Sequence, residues 1–238
     1  MAFSDRGNLG AGGSTANNQA NLTVATVLAV NVGDFVVVCV SDDNAATGGG
    51  DDNATTGVTI GGVALTKARQ NATNLAAQAG ASVSVWFGQP GALSSGVNMV
   101  ATFSSATLSD ATALSARCFS VTAPNTVTKE GDNATTSTTA TPGSIDVTTA
   151  NHEVLRIRAI GCEFDSTQTL TVTGSWTAWT EGASAASGTT TEQVIEVEHR
   201  IVTGTTSASN PTLGSACDNA SVYAAFQEIE GLMGQAVL

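Results

Sequence analysis

The 238-residue chain carries 8 Lys+Arg against 20 Asp+Glu, a formal net charge of −12, with 12% charged and 5% aromatic residues. That charge repels phosphate backbones and anionic membrane surfaces, and no basic cluster offsets it, so neither nucleic acid nor membrane is an expected partner. The length suffices for a hydrophobic core without a metal or disulfide staple.

Residues 1–21 are rich in Gly, Asn, Ala and Ser, a composition that is disordered in isolation. They read as an N-terminal arm, held in order either by a neighbouring subunit or by a clamp within the chain. No basic region followed by an apolar stretch opens the chain, so no secretory signal peptide is expected. No apolar run approaches the length of a membrane-spanning helix.

Residues 22–230 read as one folded domain. Leu22, Val24, Thr26, Leu28 and Val30 alternate as a half-buried strand. Phe35-Val36-Val37-Val38-Cys39-Val40 has no polar interruption, which predicts a central strand covered on both faces. Residues 41–56 form a low-complexity loop containing Asp42, Asp43, Asp51 and Asp52. Val58-Thr59-Ile60 and Val63-Ala64-Leu65 flank Gly61-Gly62, a tight hairpin signal because both glycines accept positive φ. In the following strand Val83, Val85 and Phe87 share one face, with Ser82, Ser84 and Trp86 on the other. Val97, Met99, Ala101 and Phe103 alternate next. In residues 113–121, Leu114, Ala116 and Cys118 oppose Arg117, Phe119 and Val121.

Residues 122–143 are polar and contain Pro124 and Pro142, as either a linker or a loop crossing between sheets. Short strands follow at 144–147 and 169–172, and longer ones at 153–162, 193–202 and 221–229. Along 153–162, Leu155, Ile157 and Ala159 alternate against Arg156 and Arg158. The pattern predicts an all-β, antiparallel β-sandwich of about ten strands with no helix. Residues 231–238 form an apolar tail that would be an aggregation liability if left exposed.

Signs of chemistry are sparse. His152 begins a strand, and His199 lies in phase with Ile195, Val197 and Ile201, the position of a satisfied core histidine. The four aspartates of the 41–56 loop either converge on a calcium ion or face solvent. Glu192, Glu196, Glu198, Glu228 and Glu230 could supply a glycosidase carboxylate pair, but nothing in the sequence fixes a separation. Nothing indicates a cofactor, and no catalytic residue or metal ligand is assigned. Among the cysteines no CxxC occurs. Cys39 and Cys118 read as small core residues, and a Cys162–Cys217 bridge is compatible with the spacing without being established by it. Trp86 is either a packed aromatic or an exposed sugar platform, and Trp176 and Trp179 lie in a turn-rich stretch that could plug one end of the sandwich.

The order of these motifs resembles jelly-roll-like β-sandwich domains of bacteriophage virion proteins and bacterial surface proteins. The matching segments are Val32-Gly33-Asp34 before the apolar strand, residues 57–66, Val83–Phe87, Val97–Phe103 and the closing Val222–Phe226. The resemblance implies a non-enzymatic domain for assembly or display, made in the host cytoplasm and carried in the virion as a capsid decoration (cement) or small tail protein. Its expected partners are virion subunits and further copies of itself. The expected contacts are the termini, through Met1, Phe3, Leu9, Leu232, Met233, Val237 and Leu238. The alternative is a carbohydrate- or receptor-binding module using Trp86, Trp176 and Trp179.

Overall fold

The computed structural model describes residues 3–15, 19–43, 55–73, 80–104, 111–122, 124–163, 168–184 and 193–230. Within them the chain is all-β, with seventeen strands and no helix. In the first half these are β1 (Phe3–Ser14), β2 (Asn21–Ala25), β3 (Phe35–Asp43), β4 (Thr55–Ile60), β5 (Val63–Ala64), β6 (Thr66–Ala72), β7 (Ala81–Gly88), β8 (Asn98–Phe103) and β9 (Thr112–Val121). In the second half they are β10 (Thr126–Ser137), β11 (Glu153–Glu163), β12 (Leu170–Thr171), β13 (Thr177–Ala178), β14 (Gly182–Ala183), β15 (Gln193–Thr203), β16 (Thr212–Leu213) and β17 (Asp218–Ile229). The count exceeds the expected ten mainly because five are two-residue strands and two longer ones, β1 and β10, carry no apolar alternation.

Every pairing is antiparallel, and three sheets stack as a sandwich. A front sheet has the order β2-β8-β4-β5, a central sheet β1-β9-β3-β7-β6, and a back sheet β10-β17-β11-β15-β13, with β14 also on β15. The small β12-β16 pair stands apart from all three. The uninterrupted apolar run of β3 explains the stacking. Phe35, Val37 and Cys39 enter the core shared with the back sheet, while Val36, Val38 and Val40 enter the core shared with the front sheet. A strand covered on both faces has no need of alternation, and each buried valine contributes roughly 1.5–3 kcal/mol. The expected hairpin turns at Gly61 (φ 55°) and Gly62 (φ 82°), joining β4 to β5. In β7, Val83 and Val85 face the back sheet and Trp86 the front sheet, as the period-two pattern requires.

Two segments depart from the sequence reading. Residues 3–14 are held by the second of the two expected means, a clamp within the chain, but as a strand that the composition did not show: β1 is an edge strand of the central sheet, paired with β9. Phe3 and Leu9 are buried in the chain's own two cores. Part of the glycine content of β1 answers to close packing. A Cβ on Gly10 would lie 2.7 Å from Met99 Cε, and one on Gly13 would lie 2.4 Å from the Ala183 carbonyl oxygen. The polar segment after residue 122 is likewise no linker, since its residues 126–137 form β10, the edge strand beside β17. It reads as loop because an edge strand with a bulge between Lys129 and Gly131 buries no complete face. Arg69 and Lys129 both reach Asp132, closing the seam between β6 and β10.

Candidate functional site

The densest polar constellation lies on the outer face of the back sheet. Alternation along β11 puts Arg156, Arg158, Ile160 and Cys162 on that face. The register sets Arg158 between Glu198 of β15 and Tyr223 of β17, and sets Ile160 beside Glu196. Arg156 and Arg158 are both fully buried. Chain segments around residues 142–149 and 204–209 cover them. Residues 144–147, expected as a strand, contribute only a single bridge, Ile145 to Ser209.

The guanidinium groups hold this cover in place. Arg158 Nη1 donates to the carbonyls of Gly143 (2.9 Å) and Ser209 (3.1 Å) and to Ser209 Oγ (3.1 Å). Its Nη2 donates to the Pro142 carbonyl (3.0 Å) and Ser221 Oγ (3.2 Å). Arg156 donates to Asp146 Oδ1 (2.9 Å), the Val147 carbonyl (2.8 Å), Thr149 Oγ1 (2.8 Å) and the Gly204 carbonyl (3.2 Å). Tyr223 donates to the Ser207 carbonyl at 2.7 Å, and Ser209 Oγ donates to Glu198. Burial lowers the Arg158 pKa to about 10, which leaves it charged at neutral pH. Burial also raises the Tyr223 hydroxyl and the Glu198 carboxyl, the latter opposed by Ser209 and Arg158. With their Nη donors directed at fixed backbone carbonyls, the two arginines clamp loops to a sheet.

Two further pairs lie toward the Cys162 end of this face. The Glu196 carboxyl is pushed up to about 8, by burial first and then by the charge of Glu181, to which it is hydrogen-bonded. A carboxyl pair in that state holds a proton at neutral pH. Beside it, Cys162 and Cys217 are free and buried. They pack with Ile160, Val194 and Leu213. The glutamates that could have supplied a carboxylate pair do not all meet: Glu196 and Glu198 share this face, whereas Glu228 bonds Asn125 (2.6 Å) near the far end of β17.

The three tryptophans are all buried, so none offers a face to a sugar. Trp86 lies in the front core, donates to Ser84 Oγ (2.9 Å) and sits under the Lys67 ammonium at 4.9 Å. Trp179 donates to His199 Nδ1 at 3.0 Å. Burial lowers His199 to about 4, so the imidazole accepts that bond as a neutral ring. Trp176 packs edge-on against Tyr223 on the back sheet's outer side. Asp42 is buried and accepts from Thr55 (3.1 Å) and Ser82 (2.6 Å). Asp51, Asp52, Glu192 and the expected contacts Met1, Leu232, Met233, Val237 and Leu238 lie outside the described residues, as does the side chain of Asp43.

The front sheet presents a different surface. Its four strands contain no Asp, Glu, Lys or Arg. Its solvent side exposes Thr23, Ala25, Thr56, Asn98 and Thr102, and Val63 is 40% exposed at one edge. In a chain of net charge −12 an uncharged sheet face is a local departure. Comparisons with known protein families, with curated proteins and with solved structures find no match.

Proposed function

We propose that the chain is a non-enzymatic structural subunit that packs against neighbouring subunits, copies of itself first, through the solvent side of the front sheet. The observation that carries this reading is the charge-free character of that sheet. Interface cores are depleted of charged residues, and two copies each carrying −12 repel least where they meet without charge. The buried arginines and two of the tryptophans favour the same reading, because the Nη donors of Arg156 and Arg158 and the ring nitrogens of Trp86 and Trp179 are committed to internal partners. The resemblance to virion domains suggests the setting: a decoration or small tail protein of a bacteriophage particle, built by a jelly-roll-like module. There, many small contacts add through avidity. The apolar sequence of residues 231–238 is the second contact this reading proposes.

The alternative, a glycan- or receptor-binding module, loses the tryptophans that suggested it. Sedimentation velocity on the wild type and on a Thr23→Glu/Thr102→Glu double variant tests the proposal. Both threonines are exposed, so the fold is expected to persist. The expected result is a wild-type oligomer whose dissociation constant rises at least about tenfold, ~1.4 kcal/mol, in the variant. A monomeric wild type, or an oligomer indifferent to both glutamates, overturns the interface. Particle binding, followed by imaging and lost in the same variant, is the expected result for the virion setting, and particles that never carry the chain contradict it.

A further inference from the structure

We propose that Cys162 and Cys217 form a reversible disulfide that joins the end of β11 to the start of β17 on the outer face of the back sheet. The inference is independent of the assembly reading. It starts from placement: Cys162 ends the outer-face row of β11, and its register partner on β17 is Asn219, two residues from Cys217. The two thiols are buried within one apolar cluster. Cys39 and Cys118 have no such option. Cys39 faces the core behind the central sheet, and Cys118 faces the core in front of it.

The two thiols are not equivalent. Cys217 is 8% exposed and Cys162 is fully buried, so an oxidant reaches Cys217 first. Cys217 is therefore the attacking thiolate and Cys162 the resolving thiol. With a small-molecule disulfide as oxidant, the Cys217 thiolate attacks one sulfur and expels a thiolate, leaving a mixed disulfide. Cys162 gives up its proton, attacks Cys217 Sγ and expels the second thiolate. The protein loses two hydrogens and the oxidant becomes two thiols.

Consequences follow from what the bond spans. It closes a loop that holds β12, β13, β14, β15 and β16. A loop of roughly 50 residues constrains the unfolded chain substantially, and in a domain of this size it raises Tm on the order of 10 °C.

The test treats the folded, full-length protein with oxidised glutathione, followed by acid quench, alkylation and mass spectrometry. Trypsin separates the two cysteines, because no Lys or Arg occurs between Arg158 and Arg200 or after it. The expected product is a disulfide joining peptides 159–200 and 201–238, with two of the four thiols left and a higher Tm that reductant reverses. Cys217→Ser, at the more accessible position, is expected to keep three thiols under the same treatment. Four unreacted thiols, a glutathione adduct that persists on Cys217, or a cross-link through Cys39 or Cys118 would each overturn the proposal. The wild-type peptide map decides the matter even if the serine variant folds poorly.

Discussion

Replacing Arg158 by methionine tests whether the ionic layer is the clamp that holds the cover. The substitution keeps an unbranched side chain and removes five hydrogen bonds, three of them to the carbonyls of Pro142, Gly143 and Ser209. It also leaves Glu198 buried beside no guanidinium. Orphaning three carbonyls and removing the charge that a buried carboxyl faces costs about 3–5 kcal/mol, as for a broken buried ion pair. Glu198 moderates that cost by taking up a proton, since burial has already raised its pKa. The loss is therefore placed near 3 kcal/mol, which lowers Tm by roughly 10 °C in a domain of this size. Urea titration followed by tryptophan fluorescence measures it, because Trp176 packs beside Tyr223 on the same face. An Arg158→Met/Glu198→Gln double variant is expected to recover at least ~1 kcal/mol of the loss, as residues in one network are not additive. A loss below about 1 kcal/mol in the single variant, or strict additivity in the double, refutes the clamp.

Leu9→Ala is expected to cost about 2–5 kcal/mol, as for a buried core leucine, whereas a free arm would lose nothing measurable. Gly13→Ala forces a Cβ to within 2.4 Å of a backbone oxygen and is expected to destabilise strongly. Gly57→Ala meets nothing within 4 Å and is expected to be neutral or stabilising in the same melts. The Glu196 carboxyl titrates near 8 in the folded chain against 4.5 when unperturbed. Its stabilising contribution is complete below about pH 4.5 and is lost as pH rises toward 8, because there the unfolded chain releases the proton more readily. Glu196→Gln is expected to flatten the decline in urea midpoint between pH 6.5 and 8.5, and an unchanged slope contradicts the assignment. The window starts above the range in which His199, lowered from 6.5 to about 4, contributes the opposite slope.

The parts of the fold legible in the sequence are those where one physical demand dominates. The apolar run of β3 could only be covered on both faces, and the Gly61-Gly62 pair could only be a turn of positive φ. Alternation placed Val83 and Val85 opposite Trp86 because a strand has two faces and no third choice. The third sheet was not legible, since pattern alone says that a face is buried without saying by what. β1 was lost for a related reason. Glycine signals either a floppy chain or a backbone approached too closely for a Cβ, and composition cannot separate the two. The Ala183 backbone, distant in sequence, decides the matter for Gly13.

The ionic layer was hidden by a rule that is sound elsewhere. In a strand that alternates apolar with charged residues, the charged face ordinarily meets water, and the sequence placed Arg156 and Arg158 only on the face opposite Leu155, Ile157 and Ala159. Their burial depends on the covering segments, whose polar sequences give no apolar signal because they dock through backbone carbonyls. A subtler cue was present. The chain has only 8 Lys+Arg, and two of them stand two apart on a strand whose other residues are almost all apolar or small. Where cations are that scarce, a pair in a central strand is better explained by a fixed internal task than by solubility. Lysine could not replace them, because one ammonium cannot hold the Pro142 and Gly143 carbonyls with the two arms of a planar fork. Arg158→Lys should therefore lose much of the stability that Arg158→Met loses, although it keeps the charge beside Glu198.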